Sequence, residues 1–545
     1  MVNSLALLLI VLAWFSIGYL VYSKFLEKTL IKPNNKNKTP AYRNKGIDYK
    51  PSKKEFLFGH HFASIAGAGP IIGPILAVSY FGWLFVVLWI ALGTILIGAV
   101  HDYLSLMISV RHNGKGISKI SEKIVGKKTF YVFSALLWAT LMLIITVFSV
   151  SAAQSFVAVP ELVIPFFGIT ATAIFLGLSV YKFKKNKIIM SSCAILLTLF
   201  FIWLGILYPI SIGGSAAQII WISILFVYSF IVSLIPVWVV LQPRDYISSI
   251  GLFLFLIIGL AAVVVARPVI NAPAIISSGI PLWPILFITV ACGAVSGFHS
   301  LVASGTTSKQ LKKESHGRFI GYGGMVAEGL VALLVVIFIS AGLDWGSPIA
   351  GNLNFFENAL SAGWIVAFGR GFANLVNSAF PLLKNSLLIL LGGLIVNLFI
   401  LTSLDTSTRI GRMITEETIS KKSKFNNKVF LTLIILVPAF FLAITNSYAT
   451  LWRLFGSSNQ LIAAVVLLIL SAYLIESKKP TKYTLIPGLF MIITTLGALF
   501  YQLFNNKGYI FGEANIALAI ISGILIIFAL VVFVEIIQKF LKKRN

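Results

Sequence analysis

The chain has 545 residues, of which 58% are hydrophobic and only 11% are charged. So little charge cannot cover the surface of a water-soluble protein of this length, and the composition predicts an all-α protein that crosses a membrane many times. The net charge of +26 does not indicate nucleic-acid binding, because the Lys and Arg residues stand in short loops between apolar segments. With only Cys193 and Cys292 present, a disulfide framework is excluded.

In chain order, about fifteen apolar segments are long enough to span a bilayer. They are 3–23, 59–81, 83–110, 129–152, 161–181, 188–209, 217–240, 246–266, 283–305, 319–341, 385–407, 428–445, 450–473, 484–503 and 514–537. The first segment lacks a basic region before it and a small-residue cleavage site. We therefore interpret 3–23 as a retained helix and not as a signal peptide.

The loops between these segments alternate in charge. Lys and Arg concentrate in one set, at 24–58, 111–128, 182–187, 241–245, 306–318, 408–427, 474–483 and the C-terminal tail. The opposite loops, such as 210–216 and 504–513, are nearly uncharged. By the positive-inside rule, the N-terminus is expected outside and the C-terminus in the cytoplasm. The Ile- and Lys-rich composition fits a prokaryote. The long outer connection 342–384 is interpreted either as an amphipathic lid or re-entrant element, or as a packed surface loop.

The second apolar segment, 59–81, places helix breakers where a continuous helix is expected. Gly67, Gly69, Pro70 and Pro74 all fall inside it. Irregular backbone in a membrane is tolerated only where it is buried in protein or lines a cavity, and transporters bind substrates and ions at such broken helices. The alternative is close helix packing through small residues, which needs no ligand.

The ninth segment, 283–305, has a similar composition. It contains ACGAVSGFHSLVASG, with Ser296, His299 and Ser300. Seven crossings separate it from the second segment, so the two run in opposite directions, as an inverted repeat requires. Whether each half holds five helices or seven is left open.

This repeat divides the chain into five parts. They are an extra N-terminal helix at 1–23, a basic linker at 24–58, a first half at 59–282, a second half at 283–473 and C-terminal helices with a basic tail at 474–545.

Ionisable residues inside a membrane segment indicate function. Glu328 lies midway along the tenth segment and is predicted to carry a coupling proton, although a structural, protonated role is the alternative. Asp405 stands four residues before Arg409, which favours an intrahelical salt bridge. The other interpretation is a cation site that Asp405 forms with Thr406 and neighbouring hydroxyls.

The histidines near the two breaks allow three interpretations. His60, His61 and His299 are candidates for a substrate carboxylate or a proton relay, for a structural role, or for a metal site. No Cys cluster or HExxH motif accompanies them, so no metal or cofactor is predicted. The predicted substrate-binding residues are His60, His61, Ser64, Gly67, Gly69, Ser296, His299 and Ser300. His101 and Asp102 are adjacent, and adjacent helix residues face different directions, so the spacing alone does not make them a pair.

Seven motifs in order resemble the carbon starvation protein A (CstA) family. They are GHHFASIAGAGPIIGPILA, GAVHDYLSLMISVRHNG, VVLQPRDYIS, CGAVSGFHSLVASGTTSKQL, GYGGMVAEGL, LDTSTRIGR and LWRLFGSSNQLIAA. The resemblance implies a transporter with an inverted-repeat fold of the amino acid–polyamine–organocation (APC) and LeuT type. It also implies uptake of peptides or pyruvate with protons across the plasma membrane under carbon limitation.

We therefore expect a secondary transporter that imports short peptides with protons through the lipid bilayer. A pyruvate symporter coupled to protons or sodium is the alternative, and an intramembrane metal-dependent enzyme is a remote one. The sequence leaves the oligomeric state open.

Overall fold

A computed structural model describes residues 2–44, 49–418, 427–506, 508–512 and 514–544. These residues form helices joined by short connections, and the part of the chain described contains isolated β-bridges but no β-strand. Within it, thirteen helices are long and apolar enough to cross a membrane, and a bent pair makes a fourteenth candidate. The prediction of an all-α protein with many membrane spans is confirmed.

The helices are numbered here in chain order. They are α1 Ser4–Ile31, α2 Pro40–Arg43, α3 Lys54–Ile65, α4 Gly69–Phe81, α5 Trp83–Arg111, α6 Ile117–Ile124, α7 Lys127–Ala158, α8 Pro160–Lys182, α9 Lys187–Leu207, α10 Ala217–Leu234, α11 Leu241–Ala266, α12 Leu282–Thr289, α13 Ala291–Ala294, α14 Gly297–Gly305, α15 Glu314–Ala341, α16 Phe356–Ser361, α17 Trp364–Ala379, α18 Asn385–Thr418, α19 Lys428–Thr445, α20 Tyr448–Glu476, α21 Lys482–Phe504 and α22 Ile516–Arg544.

Each of the fifteen predicted segments corresponds to helical structure. The ninth segment is a chain of three short helices, α12 to α14, and none of them alone is long enough to span a bilayer. The predicted loop 241–245 is instead the first turn of α11, and its Arg244 and Asp245 are buried. A pentapeptide with a proline and two charged residues suggests a loop, but here the two charged side chains have partners inside the protein. Part of the predicted loop 408–427 continues α18, and 419–426 lie outside the described residues.

The two longest helices form the centre of the bundle. α7 has 32 residues and α18 has 34, and they pack against each other. α7 also contacts α10, α19, α20 and α22. By contrast, α9 contacts mainly α8 and leaves large apolar side chains exposed, among them Leu196 and Trp203. A lipid environment suits that apolar surface.

The outer connection contains α16 and α17, and it is packed against the bundle. α17 contacts α11, α15 and α18. The rings of Phe368 and Phe372 stack at 6.2 Å between centroids and meet Phe255 and Phe338. The structure thus shows this connection as a helical segment that packs against the sides of α11, α15 and α18.

Candidate substrate and coupling site

The first break separates α3 from α4. The helix axes differ by 44° across the break, which spans three residues. Ala66 has ψ near +70°, so the helix stops there, and Pro70 stands in the first turn of α4. Pro is tolerated in a first turn because its missing N–H has no partner there in any case. The predicted break around Gly67 and Gly69 is therefore present as two helices.

The second break separates α13 from α14. Val295 and Ser296 are extended, with φ of −150° and −142°. The side-chain oxygen of Asn459 accepts a hydrogen bond from the Phe298 N–H at 2.9 Å, which satisfies a buried donor in the first turn of α14 that has no partner within the helix. The Asn459 amide nitrogen donates to the Ser296 hydroxyl at 3.1 Å. Asn459 of α20 thus stabilises the irregular backbone of the second break through these two hydrogen bonds.

The two broken segments meet along their small residues. A Cβ atom on Gly69 would lie 2.4 Å from the Cβ of Cys292, and one on Gly73 would lie 2.6 Å from the carbonyl oxygen of Thr289. Both distances are too short for any larger residue without movement of the backbone or a core side chain. The glycines therefore have a packing role, and this packing also brings the break regions of the two halves together.

A buried cluster of two carboxylates and two imidazoles lies among α5, α14 and α15. His299 Nδ1 donates to Asp102 Oδ2 at 2.8 Å, and His299 Nε2 lies 3.2 Å from Glu328 Oε2. His101 Nδ1 donates to the other Asp102 oxygen, also at 2.8 Å. All of these side chains are fully buried. The structure brings together the predicted residues His299 and Glu328, and it adds Asp102 and His101.

The charge of this cluster depends on a single proton. With both carboxylates ionised and only His299 protonated, the cluster carries a net charge of −1. One further proton, on Glu328 for example, makes it neutral. Because a net charge is costly at a buried site, protons on such groups are shared by the cluster as a whole. The arrangement has the chemistry of a reversible proton acceptor.

The paired histidines of α3 face different partners. His61 is fully buried, and its Nδ1 forms a hydrogen bond with the Thr307 hydroxyl at 2.9 Å. His60 Nδ1 lies 2.9 Å from Asp245 Oδ2, and the His60 side chain is 15% exposed. Among the described residues, no three His, Cys, Asp or Glu side chains are grouped as metal ligands.

Two neighbouring cavities share several lining residues, and His60 is one of them. The inner chamber, as we call it, has a volume of about 100 Å³ and is lined by residues that include His60, Ser64, Asp245, Ser304, Lys309 and Thr406. The outer vestibule has a volume of about 660 Å³ and is lined by residues that include Lys53, Phe56, His60, Lys187 and Tyr246. His60, Gln242 and Gln310 line both cavities, so they form the partition between them.

Asp405 belongs to a second buried cluster. Its Oδ2 accepts a hydrogen bond from Arg244 Nη1 and another, at 3.0 Å, from the Tyr228 hydroxyl. Arg244 Nη1 also donates to that hydroxyl at 3.0 Å. Arg409 donates to the backbone carbonyls of Val232 and Ile235. The carboxylate of Asp405 is thus joined to α11 and α10, a pairing that the intrahelical spacing to Arg409 does not indicate.

The other predicted residues are distributed around the breaks. The Ser64 hydroxyl donates to the His60 carbonyl, and that of Ser300 donates to the Gly297 carbonyl, each at 2.7 Å. Gly67 faces the Ser403 hydroxyl. Thr406 lines the inner chamber, one turn before Arg409 and Ile410, which also line it.

Sequence reasoning missed several residues of these clusters. The sequence does not pair Asp102 with His101, because helix spacing does not show that a histidine can turn back to its neighbour. The pattern of charges places Arg244 in a loop. Tyr228 carries no signal, since a lone hydroxyl in a long apolar segment is most often structural, and Thr307 is one of three consecutive hydroxyl residues in the predicted loop 306–318.

The family model described as carbon starvation protein CstA matches residues 3–350 and 347–498. The chain belongs to this family. The predicted resemblance is thereby confirmed. It extends over nearly the whole length and includes every motif quoted above.

Several curated members of the family are similar to this chain at about 30% identity. The pyruvate/proton symporter BtsT of Escherichia coli K12 is 31% identical over 90% of this chain and 80% of its own length. The peptide transporter CstA of Helicobacter pylori J99 is 32% identical over 87% of this chain and 78% of its own. The peptide transporter CstA of Bacillus subtilis 168 is 29% identical over 99% of this chain and 97% of its own.

A solved structure supports the fold. The crystal structure of MhsT in complex with L-phenylalanine superposes with a TM-score of 0.51 at 12% sequence identity, covering 83% of this chain and 98% of MhsT. The predicted inverted-repeat transporter fold of the LeuT type is confirmed at this level.

Proposed function

We propose that this protein is a secondary active transporter that imports short peptides together with protons across the plasma membrane of a prokaryote. Family membership and the names of relatives such as the CstA peptide transporters of Helicobacter pylori and Bacillus subtilis support the class of substrate. The basic loops support a cytoplasmic C-terminus and an outer N-terminus, because Lys and Arg are retained on the inner side.

One observation carries the proposal. Two broken helices from opposite halves of the chain meet at their breaks, and a buried acid–imidazole cluster lies beside them. The first turns of α4 and α14 bring backbone N–H groups to this point, where the positive end of a helix dipole favours an anionic group. Ser64, Ser296 and Ser300 provide hydroxyls nearby. These groups suit the polar ends of a peptide better than they suit an apolar solute.

The coupling step follows from the charge of the cluster. A proton from outside binds at the pair formed by Glu328 and His299, whose nearest atoms are 3.2 Å apart. The cluster becomes neutral, and a neutral site tolerates the rearrangement of α14 against α5 and α15 more easily than a buried net charge does. Release of the proton inside restores the charge. No metal or organic cofactor is needed for this cycle.

The path from the binding site to the cytoplasm passes first through the inner chamber and then through the outer vestibule, which is the cavity nearer to the protein surface. Lys53 and Lys187, which lie at the basic ends of their segments, line the vestibule. We take this side as cytoplasmic, so His60 and Asp245 stand between the chamber and the cytoplasm. Alternating access then requires their contact to open when one half of the repeat rocks against the other.

A second candidate substrate is pyruvate. The inner chamber, at about 100 Å³, is smaller than the cavities of roughly 300 Å³ or more that usually hold drug-sized ligands. A three-carbon acid fits a chamber of that size with less rearrangement than a dipeptide requires. The pyruvate/proton symporter of Escherichia coli is similar over 80% of its length. Both candidates share a carboxylate and the same coupling cluster.

The test is uptake into proteoliposomes that contain the purified full-length protein. An inward proton gradient is imposed, and a labelled dipeptide and labelled pyruvate are offered separately, each with and without an uncoupler. Accumulation of the dipeptide that the uncoupler abolishes is the expected result. Accumulation of pyruvate alone assigns the second candidate. If neither substrate accumulates under proton or sodium gradients, the proposed function is wrong.

A further inference from the structure

We propose that Arg244 is the receptor for the substrate carboxylate. The inference rests on the proposed function and names a residue that the sequence pattern leaves out of the site. It applies equally to a peptide C-terminus and to a 2-oxo acid, because both present the same carboxylate group.

Among the described residues, only one of the three guanidinium nitrogens of Arg244 has hydrogen-bond partners. Its Nη1 donates to Asp405 and to the Tyr228 hydroxyl, and Tyr228 lies in turn 3.4 Å from the Thr170 hydroxyl. Its Nε and Nη2 are buried and make no hydrogen bond to any described residue. Buried N–H groups are rarely left without a partner, so such an edge calls for a ligand or an ordered water.

The unpaired atoms form the edge that suits a carboxylate. Nε–H and Nη2–H are parallel donors on one side of a planar group, and they match the two oxygens of a carboxylate in a bidentate pair. The contacts with Asp405 and Tyr228 fix the plane of the guanidinium before any ligand arrives. A preorganised donor pair loses little conformational freedom on binding, which favours affinity.

The position of Arg244 relates this edge to the path of the substrate. On α11, Leu241, Gln242 and Asp245 line the inner chamber, and Arg244 lies next to Asp245. On α18, the chamber is lined by Thr406 and by residues further along the helix, so Asp405 lies just outside the lining of the chamber. The pair of Arg244 and Asp405 therefore lies beside the part of the chamber that Asp245 and Thr406 line. Ser403, two residues before Asp405 on α18, faces Gly67 in the first break, so the pair is also close to that break.

Charge balance links binding at this edge to the uptake of a proton. Arg244 and Asp405 cancel each other in the unloaded protein, so their net charge does not attract an anion by itself. A carboxylate that binds the free edge gives the cluster a charge of −1, and a proton that enters with the substrate offsets this charge elsewhere in the site. Binding of the anion and uptake of a proton are thereby favourable together, as symport requires.

The experiment measures recognition separately from coupling. Counterflow exchange of a labelled dipeptide needs no proton gradient, so it reports binding even if coupling fails. Unlabelled dipeptide and its carboxyl-amidated analogue compete for exchange in the wild-type protein and in the Arg244→Lys variant. If pyruvate is the substrate, pyruvate and pyruvamide replace them. Lys keeps the charge but lacks the parallel donors. Arg412→Lys is the matched control, since Arg412 is a buried arginine of α18 that donates to the Ser233 carbonyl.

The wild-type protein is expected to prefer the carboxylate to the amide by roughly tenfold or more, the scale of a charged bidentate contact. Arg244→Lys should raise the KM for the carboxylate about tenfold and reduce this preference, whereas Arg412→Lys should keep it. An unchanged preference in Arg244→Lys, or no preference in the wild type, overturns the inference while exchange itself still supports transport. If Arg244→Lys does not fold, Tyr228→Phe takes its place: it removes a hydroxyl that positions the guanidinium, so the preference should fall, and an unchanged preference there overturns the inference.

Discussion

Replacement of Glu328 by glutamine tests the coupling cluster most directly. Glutamine has nearly the same size, so Glu328→Gln leaves no cavity, and an amide can still contact His299 Nε2, 3.2 Å from the present carboxylate oxygen. The expected loss of stability is therefore small, about 1–2 kcal/mol for one altered buried polar contact. What the variant loses is a group that binds and releases a proton, because an amide does not titrate.

The magnitude follows from the gradient. A gradient of one pH unit stores a free energy of about 1.4 kcal per mole of protons, which supports about tenfold accumulation of substrate when one proton enters with each substrate molecule. Wild-type proteoliposomes should approach that ratio, and Glu328→Gln should fall to a ratio of about one. Counterflow exchange, which moves substrate both ways without net proton flux, should continue in the variant.

The assay needs one control and has a clear negative result. Glu357→Gln changes an exposed glutamate on the short helix α16 of the outer connection, and it should accumulate substrate like the wild type. If Glu328→Gln still accumulates substrate several-fold under the same gradient, Glu328 does not carry the coupling proton. If it loses exchange as well, the residue is needed for substrate binding or folding, and the assignment to coupling is wrong.

Three further outcomes are expected. Gly73→Ala places a methyl group against a backbone carbonyl and should destabilise the protein by about 1–3 kcal/mol, measured as a lower Tm in detergent. Gly523→Ala, with open space around the residue, should leave the Tm unchanged, and equal Tm values for the two variants would contradict the close contact of the broken segments. Asn459→Ala leaves the Phe298 N–H without its acceptor, so transport and Tm should both fall; unchanged transport would show that this contact does not hold the second break. A single cysteine introduced at Lys185 should react with an impermeant maleimide only from the cytoplasmic side; labelling from outside would reverse the topology.

The sequence by itself determined the class of this protein and much of its layout. Apolar segments of bilayer length exist independently of their neighbours, because each helix satisfies its own backbone hydrogen bonds in lipid. The breaks around Gly67–Pro70 and before Gly297 could be predicted for a similar reason, because Gly and Pro change the backbone conformation at their own positions whatever the helix packs against. A buried, isolated Glu328 was recognisable because a carboxylate in an apolar segment is costly wherever the helix packs.

The tertiary structure alone decided which polar groups meet. Asp102 joins His299 only because α5 packs against α14, and Arg244 reaches Asp405 only because α11 lies beside α18. These two pairs are separated by 197 and 161 residues along the chain, and no local pattern records them. Helix periodicity tells which face a side chain occupies, but the partner on that face depends on how the helices pack together.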